Sequence, residues 1–425
     1  MLLSVLLLQL VSTTEASFYG YVFSYTTKLF QGAGYQVVRC ERFSFASCRE
    51  FDSWFCGGDC SYWKNIQRVD QFSDGGCQTE RISKINNASF SSSSTMWSDR
   101  NWTDNKNGIL SWTSLLTLEL RNRSDISKPN SSPQTTILPT LRVPSNCQRN
   151  ISLLTFDPDG DAVRCRYAAA SRHECSICTP PLVLSLFSSC TLSFSPTNSS
   201  NEGPYAVQLT MEDFPRQTMT LTDSVGGKVV RTTSSPITGI PIQFILTVDP
   251  AAPSCAEGLY LPRFLPPTPD NGIHIVTVVN QTVMIPIKAE ATQSVITGIV
   301  FSGPYNVIKC TSRSGIFTLR WTPSLTQVGE SHPICFVVTA SFNSSVFESE
   351  LRCVVVTVIK YHAFYLKMNI ATSLPLENNM EMLQNAIKGE LVRRIPSVML
   401  ICLLGDGFVK VITTPSSSGS LLTCH

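Results

Sequence analysis

Three aspartates alternate around a glycine in Asp157-Pro158-Asp159-Gly160-Asp161. A tight loop of this composition can turn its carboxylates toward a hard cation, and the chemistry it would serve is calcium binding. Calcium takes roughly six to eight oxygens, so three carboxylates are too few alone. An ordinary solvated turn is the other reading of the same residues.

Cysteine is the second chemistry-bearing residue type. His173, Cys175 and Cys178 give H-x-C-x-x-C, with Cys165 and Cys190 close enough in sequence to add zinc ligands, and Cys56-x-x-x-Cys60 invites a metal or redox reading. Sixteen cysteines in a secreted chain are instead expected to be mostly disulfides. Cys40, Cys48, Cys56, Cys60 and Cys77 crowd the first part. Five is odd, so one of them pairs elsewhere, with Cys147 across the linker as a candidate, or stays free. Cys165 is expected to reach Cys175, Cys178 or Cys190. Cys255, Cys310, Cys335 and Cys353 form an even set, and Cys402 and Cys424 lie in the last piece and the tail.

Catalysis finds little footing. The five histidines are scattered, with no Ser or Asp context of a nucleophile elbow or triad. Gly405-Asp406-Gly407-Phe408 lies between two apolar runs with no helix behind it and reads as a hairpin turn, not a phosphate loop. The expectation is a protein that acts by binding and is not an enzyme. A secreted hydrolase would need a reactive Ser or a carboxylate pair that the sequence does not display.

The compartment follows from three signals. The apolar run Leu2 to Val11, ahead of Thr14, Glu15 and Ala16, reads as a secretory signal over residues 1–16. Eight N-x-S/T triplets begin at Asn87, Asn101, Asn122, Asn130, Asn150, Asn198, Asn280 and Asn343, and glycans there would mark those positions as surface. The longest later apolar runs, Val354 to Ile359 and Val398 to Leu404, are far shorter than the roughly 20 residues of a spanning helix. A net charge of +2 with 15% charged residues leaves no electrostatic footprint for nucleic acid.

The elements that must position these groups are strands. At 425 residues the chain should hold two to four domains of roughly 100 to 150 residues each. Residues 17–143 read as a Cys- and Trp-rich β domain, and the Pro-, Ser- and Thr-rich stretch from Lys128 to Pro144 reads as a linker or as an extended segment along a sheet edge. Its tryptophans, Trp54, Trp63, Trp97, Trp102 and Trp112, offer either a sugar-stacking platform, which would make the protein a lectin-like carbohydrate binder, or core packing. Residues 145–248 and 252–359 share one pattern. Leu192, Phe194 and Pro196 are followed by Gly203 and an alternating strand, and Leu319, Trp321 and Pro323 by Gly329 and another. Tyr205, Val207, Leu209 and Met211 keep a period of two, as one face of a sandwich requires. Residues 361–414 differ. A strand at Leu366 to Ile370, a helix from Asn378 to Ile395 and two closing strands resemble half of a ferredoxin-like unit such as the SEA module. Residues 415–425 read as a disordered tail, and a C-terminal anchor beyond it would make the protein membrane-anchored.

Phe156-Asp-Pro-Asp-Gly-Asp161 between two strands, followed by Leu-x-Phe-x-Pro and a Gly-led strand, resembles the cadherin-like, dystroglycan-type immunoglobulin-fold repeat. Leu319-x-Trp321-Thr322-Pro323 with Gly329 and Ile334-Cys335-Phe336-Val337-Val338 resembles it more closely. The layout is also similar to secreted or membrane-anchored multidomain proteins of fish. The resemblance covers about half of the chain and implies seven-stranded sandwiches used for adhesion or scaffolding, with calcium as the one cofactor to consider; by the same resemblance its shell would be completed by acidic residues at a strand end and in the linker, for which Asp213 and Asp249 are the candidates. The fold class expected is mainly β: tandem sandwiches, a Cys-rich β N-terminal part and a small α+β end. The partner expected is an extracellular or cell-surface protein or glycan.

Overall fold

The computed structural model describes residues 18–30, 34–48, 66–71, 76–100, 102–360, 362–367, 398–404 and 408–413. The segment expected as a secretory signal, Cys56 and Cys60, Trp54 and Trp63, Asn101, the helix expected from Asn378 to Ile395 and residues 415–425 lie outside them. Among the described residues the regular elements are mainly strands, joined by turns and loops, with 3-10 turns at Ala170–Arg172, Ser199–Asn201 and Leu325–Gln327. Two units emerge from backbone proximity: Met1–His274 with Met284–Arg320 and Ser331–Val356, and Ile275–Val283 with Trp321–Glu330 and Thr357–His425.

The sheet that organises the first unit crosses the boundary expected near residue 143. Phe18–Phe30 pairs antiparallel with Gly34–Phe45 on one side and meets Gly239–Asp249 on the other, with Val22 opposite Ile242. Gly20 makes that meeting possible. Its φ is +152°, and a Cβ there would stand 2.0 Å from the Gln243 carbonyl oxygen. The sheet continues through Gly203–Phe214 to Ala162–Tyr167. The N-terminal strands and the first sandwich therefore share one sheet and one core. Phe18, Tyr21, Phe23, Phe43 and Phe45 pack in that core with Leu192, Phe194, Val207 and Phe244.

Of the two readings of Lys128 to Pro144, the structure takes the extended segment held against the sheet. Residues 129–139 are buried, so this stretch is no flexible linker. Its polar residues replace sheet hydrogen bonds. Ser132 N donates to Tyr25 O (3.0 Å), Tyr25 N to Ser132 Oγ (2.9 Å) and Thr27 N to Ser131 Oγ (3.1 Å), which satisfies buried backbone that would otherwise be unpaired. Thr140–Pro144 then runs parallel to Gly239–Asp249.

The repeated pattern folds alike in both copies. Leu192 and Phe194 are the buried positions of Thr191–Phe194, and Leu319 and Trp321 are buried in Ile316–Trp321. A 3-10 turn follows each, Ser199–Asn201 and Leu325–Gln327, and Gly203 and Gly329 carry the chain through φ of +131° and +80° into the long strands Gly203–Phe214 and Ser331–Phe342. In the second copy Ser331–Phe342 pairs with Val295–Ser302 and Ser345–Glu348, Arg263–Leu265 with Val283–Glu290, and Ile308–Arg313 with Ile316–Trp321.

Gly203–Phe214 alternates in sequence yet is buried from Tyr205 to Phe214 on both faces. Its polar face is covered. Gln208 Nε2 donates to Ile177 O (2.7 Å), and Asn107 Nδ2 to Ala206 O (2.8 Å). On the neighbouring strand Gln243 Nε2 donates to Thr113 O (2.8 Å).

In the second unit Asn280 N donates to Pro323 O (2.8 Å) and Gly329 N to Val358 O (2.8 Å). Its last part is a three-stranded sheet of His362–Lys367, Phe408–Thr413 and Val398–Leu404, with Leu404 opposite Phe408 across the hairpin.

Candidate functional site

The acidic turn is built by its own first residue. Asp157 Oδ1 accepts from the backbone N–H of Asp159 (2.9 Å) and of Asp161 (3.1 Å), and Gly160, at φ +82°, closes the turn with its N–H on Asp157 O (3.2 Å). Carboxylate oxygens of Asp157, Asp159 and Asp161 lie within 4.8 Å of one another.

A side chain already supplies a cation to them. Arg123, 1% exposed, places its guanidinium on both oxygens of Asp161, with Nη2 2.9 Å from Oδ1. It also holds Asp125 through Nε (3.1 Å) and Nη2 (2.8 Å), and donates to Asn130 Oδ1. Lys128 Nζ stands 2.6 Å from Asp159 Oδ1, and Ser131 N donates to Asp159 Oδ2 (2.7 Å). Asn130 passes the network on through Nδ2 to Asp213 Oδ2 (2.7 Å), and Thr238 N donates to Asp213 Oδ1 (2.7 Å). Arg123 was not visible as a site residue in the sequence, and Asn130 was visible only as a glycan acceptor. They come from a segment some thirty positions earlier whose Ser- and Pro-rich composition hides its burial.

Two cations therefore face five carboxylates, and two of the carboxyl groups are pushed toward the neutral form. Burial, reinforced by Asp159 and Asp161, raises Asp157 to about 7. Burial and then the Asp157 charge raise Asp213 well above the carboxylate range. Burial alone would pull Arg123 down, but its bonds to Asp161 and Asp125 outweigh that, and the net shift is upward. Asp249 does not belong with the others. It sits at the far end of the Gly239–Asp249 strand, about 30 Å along the chain from the end that holds Asp213, and Arg142 pairs with it through Nε (3.0 Å) and Nη2 (2.6 Å).

The cysteines resolve into Cys48–Cys77, Cys147–Cys255, Cys165–Cys190, Cys175–Cys178 and Cys335–Cys353. Cys147 reaches forward to Cys255, not back to the N-terminal set. Cys40 and Cys310 are free thiols, which corrects the even set of the second sandwich: Cys335 takes Cys353, and Cys310 faces Thr318 on the outer strand pair. The Cys40 thiol donates to Glu80 Oε1 (3.3 Å), and burial pushes it up. With Cys165, Cys175, Cys178 and Cys190 all in disulfides, the H-x-C-x-x-C stretch holds no thiolate for zinc.

Of the glycan acceptors, Asn87, Asn150, Asn198, Asn280 and Asn343 are exposed, and Asn87, Asn280 and Asn343 occupy left-handed turns. Asn122 is half-buried and paired with Thr222. Asn130 is 0% exposed, and the nitrogen a glycan would occupy is bonded to Asp213, so the expectation of a surface acceptor there is corrected. Of the two readings of the tryptophans, Trp102 and Trp112 take core packing. They are 5% and 2% exposed and pack on Phe18, Trp112 stacked at 4.7 Å and Trp102 edge-on at 5.2 Å, so neither offers a face to a sugar.

No protein-family profile matches the chain. No curated protein matches it either, and neither the cadherin-like, dystroglycan-type label nor the likeness to fish proteins finds support in these comparisons. Among solved structures, the Ig tandem domains of titin align at 10% identity over 53% of this chain and 97% of theirs, with a TM-score of 0.17. Extracellular domains 3–5 of Drosophila OTK align at 12% identity over 70% of this chain and 87% of theirs, TM-score 0.15. An endo-fucoidan hydrolase of glycoside hydrolase family 107 aligns at 14% identity over 70% of this chain and 39% of its own, TM-score 0.19. At scores this low, the tandem β-sandwich assignment rests on the sheets themselves.

Proposed function

We propose that the chain is an extracellular recognition or adhesion protein of tandem immunoglobulin-like sandwiches that acts by binding a cell-surface protein or glycan, without catalysis. The observation that carries this reading is the disulfide set. Five bridges fix the strands and, through Cys147–Cys255, tie the segment entering the first sandwich to the one leaving it. Such bonds persist in oxidising compartments and are rare in the cytosol. Asn87, Asn150, Asn198, Asn280 and Asn343 are the glycan acceptors in this reading. The test is expression in secreting cells, followed by disulfide and glycan mapping of the medium and binding of the purified protein to intact cells. Secreted protein with these five pairs, glycan on the exposed acceptors and none on Asn130, and saturable cell binding is expected. A chain retained in the cytosol with reduced thiols would overturn the proposal.

In the same reading the acidic turn is a socket for Arg123 more than a calcium loop, since a metal would have to displace a bidentate guanidinium from Asp161. Melting curves with millimolar calcium and with chelator are expected to coincide. A calcium-dependent rise that disappears in Asp159→Asn would restore the calcium-stiffened repeat.

A further inference from the structure

A cavity of about 210 Å³ opens in the first sandwich, and none of the three aspartates of the acidic turn lines it. Thr210 and Glu212 on Gly203–Phe214 form part of its lining, together with Arg166, Arg172 and Glu174 from Ala162–Tyr167 and the turn after it. Arg231 enters from Lys228–Arg231, Thr117 from Ser111–Glu119, and leucine and proline side chains complete the wall.

The three guanidinium groups are unequally engaged. Arg166 is saturated: Glu174 takes Nη1 (2.6 Å) and Nη2 (2.5 Å), and Glu212 takes Nε (2.9 Å) and Nη2 (2.8 Å). Arg172 reaches only Glu212, through Nη1 (3.1 Å). Arg231 has no carboxylate partner, and its Nε is buried without an acceptor. Three guanidiniums against two carboxylates leave one net positive charge. A buried cationic N–H lacking an acceptor is the group that a bound oxyanion satisfies, and the planar fork of arginine matches the two oxygens of a carboxylate. The volume equals about seven waters, close to one sugar ring. Thr117, Thr210 and Thr238 are among the lining residues, and apolar walls suit the faces of a ring.

We propose that this cavity binds the carboxylate of a single acidic sugar unit, with Arg231 and Arg172 on the carboxylate and Arg166 held in place by the two glutamates. The inference stands apart from the secreted, adhesive reading, because it concerns a cavity of the purified chain. Saturation-transfer NMR and calorimetry on the full chain at low ionic strength, with glucuronate, glucose, glutamate and glucose 6-sulfate as probes, test it. Glucuronate should bind and glucose should not. Arg231→Gln and Arg172→Gln should each weaken glucuronate at least tenfold. Arg172, whose side chain is 56% exposed, can be replaced with an unchanged melting temperature, so a folding defect in the Arg231 variant would not remove the test. Equal binding of glucuronate and glucose, or wild-type affinity in the Arg172 variant, overturns the site. Preference for glutamate overturns the sugar, and preference for the sulfate overturns the carboxylate.

Discussion

Asp157 is the residue where burial and charge meet most sharply. Its folded value of about 7 lies above the ordinary carboxylate value, so the native state holds its proton more tightly than the unfolded chain does. The stability this contributes is complete at low pH and is lost as pH rises through about 7. His332 works in the opposite sense: burial, aided by Arg42 and Lys28, lowers it to about 3, so its contribution is present above its unfolded value and lost as pH falls toward 3. Asp157→Asn keeps the Oδ1 acceptor of the turn while removing the charge. Its melting temperature should exceed that of the wild type by several degrees at pH 8 and converge with it near pH 4, by an amount on the order of a few kcal/mol. A wild-type pH profile in the variant would show that Asp157 is ionised throughout. Arg123 is the complementary case. Arg123→Ala strands Asp161 and Asp125 in a buried site, and a loss of about 3–5 kcal/mol in urea unfolding is expected. The acidic turn was legible from Asp-Pro-Asp-Gly-Asp, because the side chains of the turn make its backbone bonds locally. The cation that meets it was not, because Arg123 lies in an unremarkable polar run and is brought there by sheet pairing.

At the level of elements, the strand Phe18–Phe30 shows how one backbone atom decides a junction. Gly20 lets the strand lie against Gln243, where any Cβ would overlap a carbonyl. Gly20→Ala should therefore shift the strand off Gly239–Asp249 and cost about 2 kcal/mol or more, and hydrogen exchange should speed up around Val22 and Ile242 while the Cys335–Cys353 sandwich stays protected. Protection lost evenly across both would mean that the strand is no local unit. Strand positions themselves were readable where period two is strong: the 203–214 strand stands where alternation placed it. The burial of Gln208, Thr210 and Glu212 was not, since alternation reports only which face is apolar. A polar face becomes interior when hydrogen-bonding partners such as Asn107 and Ile177 O cover it.

For the molecule as a whole, the bridge with the widest reach in sequence among the described residues is Cys147–Cys255, at a separation of 108. A loop of that length loses much of its unfolded-state freedom when closed. Replacing both cysteines by Ser should lower stability by up to about 4–5 kcal/mol in guanidinium unfolding, against about 3 for the Cys165–Cys190 pair with its shorter loop. Equal losses would place the effect in native strain or packing instead of loop closure. The amino-acid order alone determined the β class, the two-copy strand pattern, the turn chemistry and the abundance of cysteine suited to disulfides. Each of these depends on neighbours a few residues apart or on composition. Tertiary structure decided that the N-terminal strands and the first sandwich share one core, that the Ser- and Pro-rich run is buried, which cysteines pair, that Asn130 is closed to glycan, and that three arginines converge on one cavity. Those outcomes depend on groups tens to hundreds of residues apart, and only the closing of the sheets sets such distances.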